Sequence, residues 1–419
     1  MADNLTITDP AFWQLPLDER MRLFGELREA APFTPAQSSN FLTGVPDDFY
    51  AVTRIADVIE ISRRPKDFCS GKGSISIADM PAEAMEFFGS FIAMDDPRHA
   101  RQRSIVARSF TPRQLQGVLD SVETIATEVI DGMCEQGEVD LVSAISEPFP
   151  LLIICDMMGI PRSEFPTVLA ATNVILGAGD PDTLDGKDWI GAMFDAGMEL
   201  TGLMGELADD RRKNPANDLT TALVHNELGE EMLDPSEIAP FFILLAVAGN
   251  DTTRNAISHG MDLLGRNPEQ RRIWQDDLEG VAPTAVEEIV RVASPVTFMR
   301  RTVTHDLELS GQQFVEGDKV VMFYGAANRD PRVFGDPETF DVRRDPNPHV
   351  GFGGPGPPYC LGAHLARREV SVMFRELCTR LPDIEVIGDP VPLEAMGIPL
   401  VGGIKHLPVR FTPTRPSSS

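Results

Sequence analysis

The 419-residue sequence predicts a mainly helical protein with small β-sheets. Three segments have long helical patterns, whereas only residues 48–57, 302–308 and 319–324 have the β-branched and aromatic content typical of strands. No repeat or low-complexity linker divides the chain. We therefore expect a single domain over residues 1–419, with a loose first dozen residues and a loose tail at 413–419.

The clearest helix signal lies in the middle of the chain. Asp234 is a good N-cap, Pro235 suits the first helical position, and Glu237 completes a capping-box pattern. The helix can extend to Gly265, a length of about 46 Å at ~1.5 Å per residue. Pro240 lies inside this pattern and predicts a kink or a later start, because proline removes a helical hydrogen bond.

Two further helices are predicted nearer the C-terminus. One runs from Pro283 to Ala293 and stops before a Ser-Pro pair. The other runs from Leu361 to about Leu381 and ends at a proline.

Composition narrows the possible functions. The 64 Asp and Glu residues against 37 Lys and Arg give a formal charge of −27, which disfavours nucleic-acid binding. Residues 1–13 lack the basic start and apolar run of a signal peptide. The most continuous apolar run, Phe241–Ala248, is too short for a membrane span. We therefore expect a cytoplasmic protein with no nucleic-acid partner and no membrane span.

A cysteine in a loop rich in glycine and proline is the strongest chemical signal. The segment GFGGPGPPYCLG at 351–362 cannot form helix or sheet, yet a helical pattern starts just after Cys360. Backbone N–H groups at a helix N-terminus favour a thiolate, the form that binds metal. Gly362 has no side chain, so the helix start can lie flat against a planar partner. The remaining cysteines form no Cys-x-x-Cys pair, so any special cysteine acts alone: Cys69, Cys134, Cys155 and Cys378.

This loop has three alternative interpretations. Cys360 can be an ordinary buried cysteine after an irregular turn. The glycines match G-x-G-x-x-G, but a dinucleotide site would follow a strand and enter its helix directly, and this segment does neither. Cys360 and His364 share a helix face and could bind zinc, but no second ligand pair with suitable spacing is present.

The long helix contains a polar segment, AGNDTT, at residues 248–253. Such residues lower helix propensity and can open a local bulge. Gly249 gives room for a small molecule, Thr252 can donate a hydrogen bond, and Asp251 can relay protons from solvent. The alternative is a polar break where the helix leaves the core.

Two sets of charged residues have helical spacing. Glu288 and Arg291 can form a bidentate ion pair with Arg344 as a third member, and their apolar neighbours predict burial rather than the alternative surface pair. His99 and Arg103 lie one helical turn apart and could grip an anion. A solvated, charged helix face is the alternative for this second set.

Together these motifs resemble those of the cytochrome P-450 family, the haem-thiolate monooxygenases, across nearly the whole chain. The resemblance rests on DPRHARQR at 96–103, AGNDTT at 248–253, EEIVR at 287–291, and the cysteine loop at 351–362 with the AHLAR that follows it. It implies the cytochrome P-450 fold, with haem between the long central helix and the cysteine loop.

The resemblance also implies roles for individual residues. Cys360 would be the iron ligand, and Asp251 and Thr252 would be catalytic residues that deliver protons during oxygen activation. The implied cofactor-binding residues are His99, Arg103, Arg301, Phe352, Cys360 and Gly362. The implied structural triad behind the haem consists of Glu288, Arg291 and Arg344. The implied substrate-pocket residues, each of which can equally be ordinary core, are Ala248, Val296, Phe298 and Leu400.

The chain departs from the family pattern in the cysteine loop. The family places His or Arg two residues before the cysteine and Phe seven before it, whereas this chain has Pro358 and Gly353 there. Phe352 lies eight residues before, which one extra residue near Pro355 explains. Pro358 removes a contact to a haem propionate, so haem affinity or redox poise can differ from the family norm.

More closely, segments such as FFGSFIAMDDPRH and TNVILGAGDPD resemble the actinobacterial branch that hydroxylates methyl-branched and isoprenoid lipids, often at a terminal carbon. The implied reaction inserts one oxygen atom of O2 into a C–H bond of a methyl-branched, isoprenoid or steroid-like lipid, by terminal (omega) hydroxylation. The implied cofactor is haem b, iron protoporphyrin IX.

The same resemblance implies external redox partners, since the chain has no flavin or iron–sulfur motif. Electrons from NAD(P)H would arrive through a ferredoxin reductase and a ferredoxin. The ferredoxin would dock near four local positive charges, Arg103, Arg108, Arg367 and Arg368. The alternatives are a peroxide-using haem-thiolate hydroxylase, which would not need the Asp251–Thr252 relay, and a non-catalytic haem or lipid carrier.

Overall fold

The computed structural model describes residues 6–39, 45–80, 85, 90–108, 116–176, 184, 188–225, 233–393 and 398–417. Within these residues the chain is mainly helical with small sheets, which confirms the predicted fold class. The helices are Pro10–Trp13, Leu17–Ala30, Ile55–Arg63, Arg98–Ala107, Gln116–Asp131, Pro148–Met158, Phe165–Leu176, Trp189–Lys213, Leu219–Val224, Pro235–Arg266, Pro268–Asp276, Leu278–Ala293, Tyr324–Ala327 and Ala363–Arg380. We call Pro235–Arg266 the central helix and Ala363–Arg380 the cysteine helix.

The strands are short and form small sheets. They are β1 (Phe33–Ser38), β2 (Asp47–Val52), β3 (Phe68–Cys69), β4 (Glu138–Asp140), β5 (Phe298–Val303), β6 (Leu307–Leu309), β7 (Gln312–Phe314), β8 (Lys319–Phe323), β9 (Glu385–Val386), β10 (Val391–Pro392), β11 (Ile404–His406) and β12 (Pro408–Arg410). The largest sheet has the order β1-β2-β8-β5-β3. In it β2 and β8 are parallel, with Tyr50 opposite Val320, and the other pairs are antiparallel.

The central helix connects two parts of the hydrophobic core. Phe242 belongs to a cluster with residues of the helices before it in the chain, whereas Ile257 belongs to a second cluster that includes the cysteine helix. The polar segment 248–253 lies between these two attachments. This arrangement holds the polar segment in place from both ends while leaving its own side chains out of the continuous apolar packing.

The start of the central helix agrees with the capping prediction. The backbone N–H of Asp234 donates to Glu237 Oε2 at 2.7 Å, which is the return bond of a capping box. The helix already begins at Pro235, so the predicted later start at Pro240 is wrong. Pro240 stands near the N-terminal end, where its missing N–H removes only one helical hydrogen bond.

Two other helix boundaries differ from the prediction. The helix predicted from Pro283 begins at Leu278, because Asp277 caps it by accepting a 2.9 Å hydrogen bond from the Gly280 N–H. The cysteine helix begins at Ala363 rather than at Leu361.

The predicted strands are shorter in the structure. Strand β2 ends at Val52, and residues from Ile55 onward form a helix because Ile55, Val58 and Ile61 recur every three positions on one buried face. The strand predicted over 302–308 is interrupted, since β5 ends at Val303 and β6 starts four residues later. The strand predicted over 319–324 ends one residue early, at Phe323.

None of the helices in the described part of the chain combines the length and the apolarity needed for a membrane span.

The packing of the central helix against its neighbours can be tested at Gly260. A methyl group there would lie 2.7 Å from Phe374 Cζ and 2.9 Å from Ile289 Cδ1, so something must shift. We expect Gly260→Ala to lower the free energy of unfolding by ~1–3 kcal/mol, measured by thermal unfolding. Gly202→Ala is the control, because Gly202 is also helical but has no atom within 4 Å of the added group. An unchanged midpoint for Gly260→Ala would contradict the packing described.

Candidate active site

The cysteine loop is held by backbone contacts on both sides of Cys360. The Cys360 N–H donates to Phe352 O at 2.9 Å, which folds the loop back on itself. Gly356 has a φ of +152°, and a Cβ there would lie 2.5 Å from Ser62 O. Only glycine therefore allows the loop to pack this closely against the helix Ile55–Arg63.

The electrostatic environment of Cys360 differs from the sequence expectation. Cys360 retains accessible surface, yet desolvation by the surrounding protein raises the pKa of its thiol above the ordinary value. The Gly362 N–H and the charges of Arg103 and Arg367 lower this pKa, but they do not outweigh desolvation. The backbone N–H at the helix start therefore acts in the predicted direction, but in the protein alone it is outweighed by desolvation. Binding to a metal would deprotonate the thiol, because a coordinating thiol gives up its proton.

Gly362 leaves open space where the cysteine helix begins. It is the N-cap of that helix, and a Cβ added there would meet no protein atom within 4 Å. This agrees with the expectation that a flat group can lie against the helix start.

Three basic residues that the resemblance implies for cofactor binding meet at one cavity of about 400 Å³. Its lining includes His99, Arg103 and Arg301. Arg301 is 5% exposed and donates to Arg300 O at 2.7 Å. Within the described residues it forms no salt bridge, and burial lowers its pKa. A buried cation without a carboxylate partner is costly unless an anion is bound beside it.

The other contacts at this cavity leave room for that anion. Arg103 donates to Tyr359 O, and His99 Nδ1 lies 3.4 Å from Asp96 Oδ1. Pro358 also lines the cavity, and its ring has no donor. The structure therefore agrees with the expectation that this position gives no polar side-chain contact to an anion.

Phe352 and Arg367 stack beside the cysteine loop. The Arg367 guanidinium carbon lies 4.3 Å from the centre of the Phe352 ring. The same guanidinium makes a two-point ion pair with Glu287, with Nη2 2.9 Å from Oε2. Burial would raise the pKa of Glu287, but hydrogen bonds from Arg367 and His349 outweigh it and lower that pKa to about 2.

Across from the loop, the polar segment of the central helix stays helical. No bulge opens through residues 248–253. Thr252 instead donates its hydroxyl to Ala248 O at 2.7 Å, which satisfies the side chain within the helix. Gly249 packs closely against Ile154, since a Cβ there would lie 2.9 Å from Ile154 Cδ1 and would require that side chain to shift.

Asp251 is buried and belongs to a charged network. Arg254 Nη1 lies 3.6 Å from Asp251 Oδ1 and 3.2 Å from Glu147 Oε1. Burial raises the pKa of Asp251 to about 6, with Arg254 opposing the rise and Glu147 adding to it. A carboxyl that titrates near neutral pH is suited to proton transfer. The i, i+3 spacing could have predicted Arg254, but nothing in the sequence connects Glu147 to this helix.

A second buried carboxyl faces the same helix from the other side. Glu369, on the cysteine helix, is 3% exposed, and burial raises its pKa to about 8 while a hydrogen bond with Thr253 opposes the rise. The group is therefore protonated at neutral pH. The sequence did not indicate Glu369, because Thr253, with which it forms a hydrogen bond, lies more than a hundred residues away in the chain.

The triad residues come together as the sequence predicts. Arg291 donates to both Glu288 oxygens at 2.7 and 2.8 Å, and both side chains are fully buried. Arg344 Nε donates to Glu288 Oε1 at 3.2 Å. Asn347, which the sequence did not indicate, adds a 3.0 Å hydrogen bond to the same carboxylate.

The four predicted pocket residues have different surroundings. Ala248 is exposed, as a residue facing open space would be. Val296 pairs with Val401 in an isolated β-bridge. Phe298 is 2% exposed within a cluster that includes Phe323, and Leu400 packs against the same cluster. Phe298 is therefore better described as an ordinary core residue than as a residue that lines a substrate pocket.

Comparison with known proteins agrees with this site. The family model of cytochrome P450 matches residues 187–380. A methyl-branched lipid omega-hydroxylase of Mycobacterium tuberculosis is 47% identical over 408 residues, which is 96% of this chain and 93% of the relative. A steroid C26-monooxygenase of Rhodococcus jostii is 36% identical over 98% of this chain and 85% of the relative.

A solved structure is also similar over the whole fold. The Mycobacterium marinum cytochrome P450 in complex with pseudoionone has a TM-score of 0.90 and 40% identity, covering 98% of this chain and 99% of that one. The chain therefore belongs to the cytochrome P450 family. It is a haem-dependent monooxygenase, and enzymes of this family use O2, redox partners and hydrophobic substrates.

The residues of this chain fit haem. Cys360 would hold the iron, and the open face of Gly362 accepts a flat ring. The cavity lined by His99, Arg103 and Arg301 would hold the propionates, which would supply the counter-charge that Arg301 lacks.

The role of Arg301 gives a test that does not depend on turnover. We expect Arg301→Gln to lose haem at least tenfold faster to an excess of apomyoglobin, because the propionates would lose a charge-assisted hydrogen bond. Arg22→Gln is the control, since Arg22 is exposed and, in the part of the chain that the structure describes, its ion pair is with Glu26 on the same helix. Equal rates of haem loss in the two variants would contradict the assignment.

Proposed function

We propose that this enzyme hydroxylates the terminal (omega) carbon of a methyl-branched, isoprenoid or steroid-like lipid. The observation that carries the proposal is the 47% identity, over 96% of the chain, to a methyl-branched lipid omega-hydroxylase. The steroid C26-monooxygenases, at 36–37% identity, support an elongated apolar substrate. The proposed cofactor is haem b, with electrons from NAD(P)H supplied through a ferredoxin reductase and a ferredoxin.

The central helix supplies the residues for this chemistry. Haem held by Cys360 supplies the oxidising chemistry that inserts one oxygen atom of O2 into a C–H bond. Asp251 holds a proton that it can release near pH 6, and the Thr252 hydroxyl lies on the next residue. Arg254 keeps the Asp251 carboxylate from being an isolated buried charge. The exposed Ala248 presents a small apolar surface beside them.

The docking face for ferredoxin is less positive than the sequence suggests. Arg367 is paired with Glu287, and Arg368 with Glu123. Arg103 bonds only a backbone carbonyl within the described residues, and in the haem-loaded enzyme a propionate would offset part of its positive charge. We therefore propose that an acidic ferredoxin docks beside Arg103. The affinity for ferredoxin should depend less on salt concentration than it would if all four arginines were free.

The function is tested with the haem-loaded enzyme, a terminally methyl-branched fatty acid and a sterol with a branched side chain. A straight-chain acid of equal carbon number is the control ligand. We expect a spin-state shift with the branched ligands and, with ferredoxin, reductase, NADPH and ¹⁸O2, an omega-hydroxyl carrying one labelled oxygen.

Three results would overturn this function. Product formed only with hydrogen peroxide would indicate a peroxide-using hydroxylase. Tight lipid binding with no product under either condition would indicate a carrier. Hydroxylation in mid-chain would contradict the omega position.

The proton relay gives a separate prediction. We expect the rate of product formation, where proton delivery limits it, to fall as pH rises through about 6, because Asp251 then loses the proton that it supplies. Asp251→Asn should lower product formation by ~10²-fold or more and flatten this part of the profile.

Asp262→Asn is the matched control for this relay. Asp262 lies on the same helix, eleven residues after Asp251, and forms an ion pair with Arg266. We expect it to keep both the rate and the pH profile. An Asp251→Asn enzyme with an unchanged profile would remove Asp251 from the relay.

A further inference from the structure

A second cavity, of about 30 Å³, shares no lining residue with the cavity at Arg301. It lies between the helix Leu17–Ala30, the C-terminal half of the central helix and residues 293–297. Its volume suits one water molecule or one small ion. Three basic side chains line it, and no Asp or Glu does: Arg20, His259 and Arg329.

Arg20 has an unbalanced charge in this cavity. Its Nε is buried and has no hydrogen-bond partner, and within the described residues the side chain forms no salt bridge. Its one aromatic contact places the guanidinium carbon 5.7 Å from the centre of the Trp13 ring. Burial lowers the Arg20 pKa to about 10, so it is still charged at neutral pH. A cation left without a carboxylate is notable in a chain with 64 acidic and 37 basic residues.

The other two basic residues do not add to this excess charge. Arg329 donates to Val292 O at 2.8 Å, and its Nε lies 3.2 Å from Glu338 Oε2, so its charge is compensated. Burial and the nearby charges of Arg20, Arg266 and Arg329 lower the pKa of His259 to about 4, although a hydrogen bond with the Gly402 backbone opposes the shift. His259 is therefore neutral at pH 7. Among the described residues, the lining of this cavity therefore has one uncompensated positive charge, that of Arg20.

We propose that this cavity binds one small monovalent anion, chloride or the carboxylate group of a short acid, between Arg20 and His259. The single uncompensated charge calls for a monovalent ligand, and the volume suits one small ion. A bound anion would also favour the protonated form of His259, which would then donate a second charge-assisted hydrogen bond.

Binding there would have a structural effect near the proposed substrate pocket. The lining includes Thr297 and Gly402, which flank Val296 and Val401, the two residues of the isolated β-bridge. The Gly402 N–H donates to Pro295 O at 3.0 Å, and the Thr297 N–H donates to Leu400 O at 2.9 Å. An anion would thus tie the helix Leu17–Ala30 to the base of these two paired segments.

The first test is crystallographic, on the haem-loaded enzyme soaked in sodium bromide. We expect an anomalous bromide peak in the cavity, within hydrogen-bond distance of Arg20 and His259. Arg20→Gln should lose the peak, and Arg22→Gln, which alters an exposed arginine two residues away on the same helix, should keep it. A wild-type cavity holding only water, or a peak that persists in Arg20→Gln, would overturn the proposal.

The second test measures thermal unfolding at constant ionic strength. The reference buffer contains sodium gluconate, whose anion is too large for the cavity, and the gluconate is then replaced by chloride or by formate. We expect the wild type and Arg22→Gln to gain about 3 °C at ~100 times the dissociation constant, and Arg20→Gln to gain nothing. A gain with chloride identifies a halide site, and a gain with formate alone identifies a carboxylate site. Equal gains in all three proteins, or none in the wild type, would contradict a specific site.

Discussion

The position of one sulfur atom, Cys360 Sγ, constrains the surrounding structure. The loop that carries it is folded back by the hydrogen bond to Phe352 O and packs against Ser62 through a glycine that no other residue could replace. The cysteine helix then begins three residues later, at Ala363, with an open face at its N-cap Gly362. Desolvation raises the pKa of the Cys360 thiol, whereas the Gly362 N–H, Arg103 and Arg367 lower it, and a bound metal would favour the thiolate further.

The site contains other buried titratable groups whose environment does not fully stabilise their charged forms. Arg301 has no carboxylate partner in the described residues, and Asp251 and Glu369 have raised pKa values because they are buried. Such groups cost stability, and proteins keep them where a ligand or a proton must be handled. The triad shows the contrast, since Glu288 and Arg291 are as deeply buried but fully hydrogen-bonded. The triad is thus compensated internally, whereas Arg301 lines the cavity beside the cysteine loop without a carboxylate partner in the described residues.

Local signals predicted the parts of this structure that depend on local physics. The cap at Asp234, the i, i+3 pair of Glu288 and Arg291, and the glycine and proline content of the cysteine loop each determine structure within a few residues. Contacts between distant segments were not predictable from one sequence, and they changed several expectations. Glu147 joins Asp251 through Arg254, and Glu287 neutralises Arg367 on the proposed docking face. Phe298 packs against Phe323 in a core cluster that also includes Phe24 of the helix Leu17–Ala30.

The most direct test of the central claim is a carbon monoxide difference spectrum of the reduced, haem-loaded protein. Ligation of iron by the Cys360 thiolate predicts the red-shifted Soret band that distinguishes thiolate-bound haem. Cys360→Ser should lose this band, and Cys69→Ser, which changes a cysteine in the lining of the cavity at Arg301, should keep it. A wild-type band at the position of histidine-ligated haem, or an unchanged band in Cys360→Ser, would contradict the account.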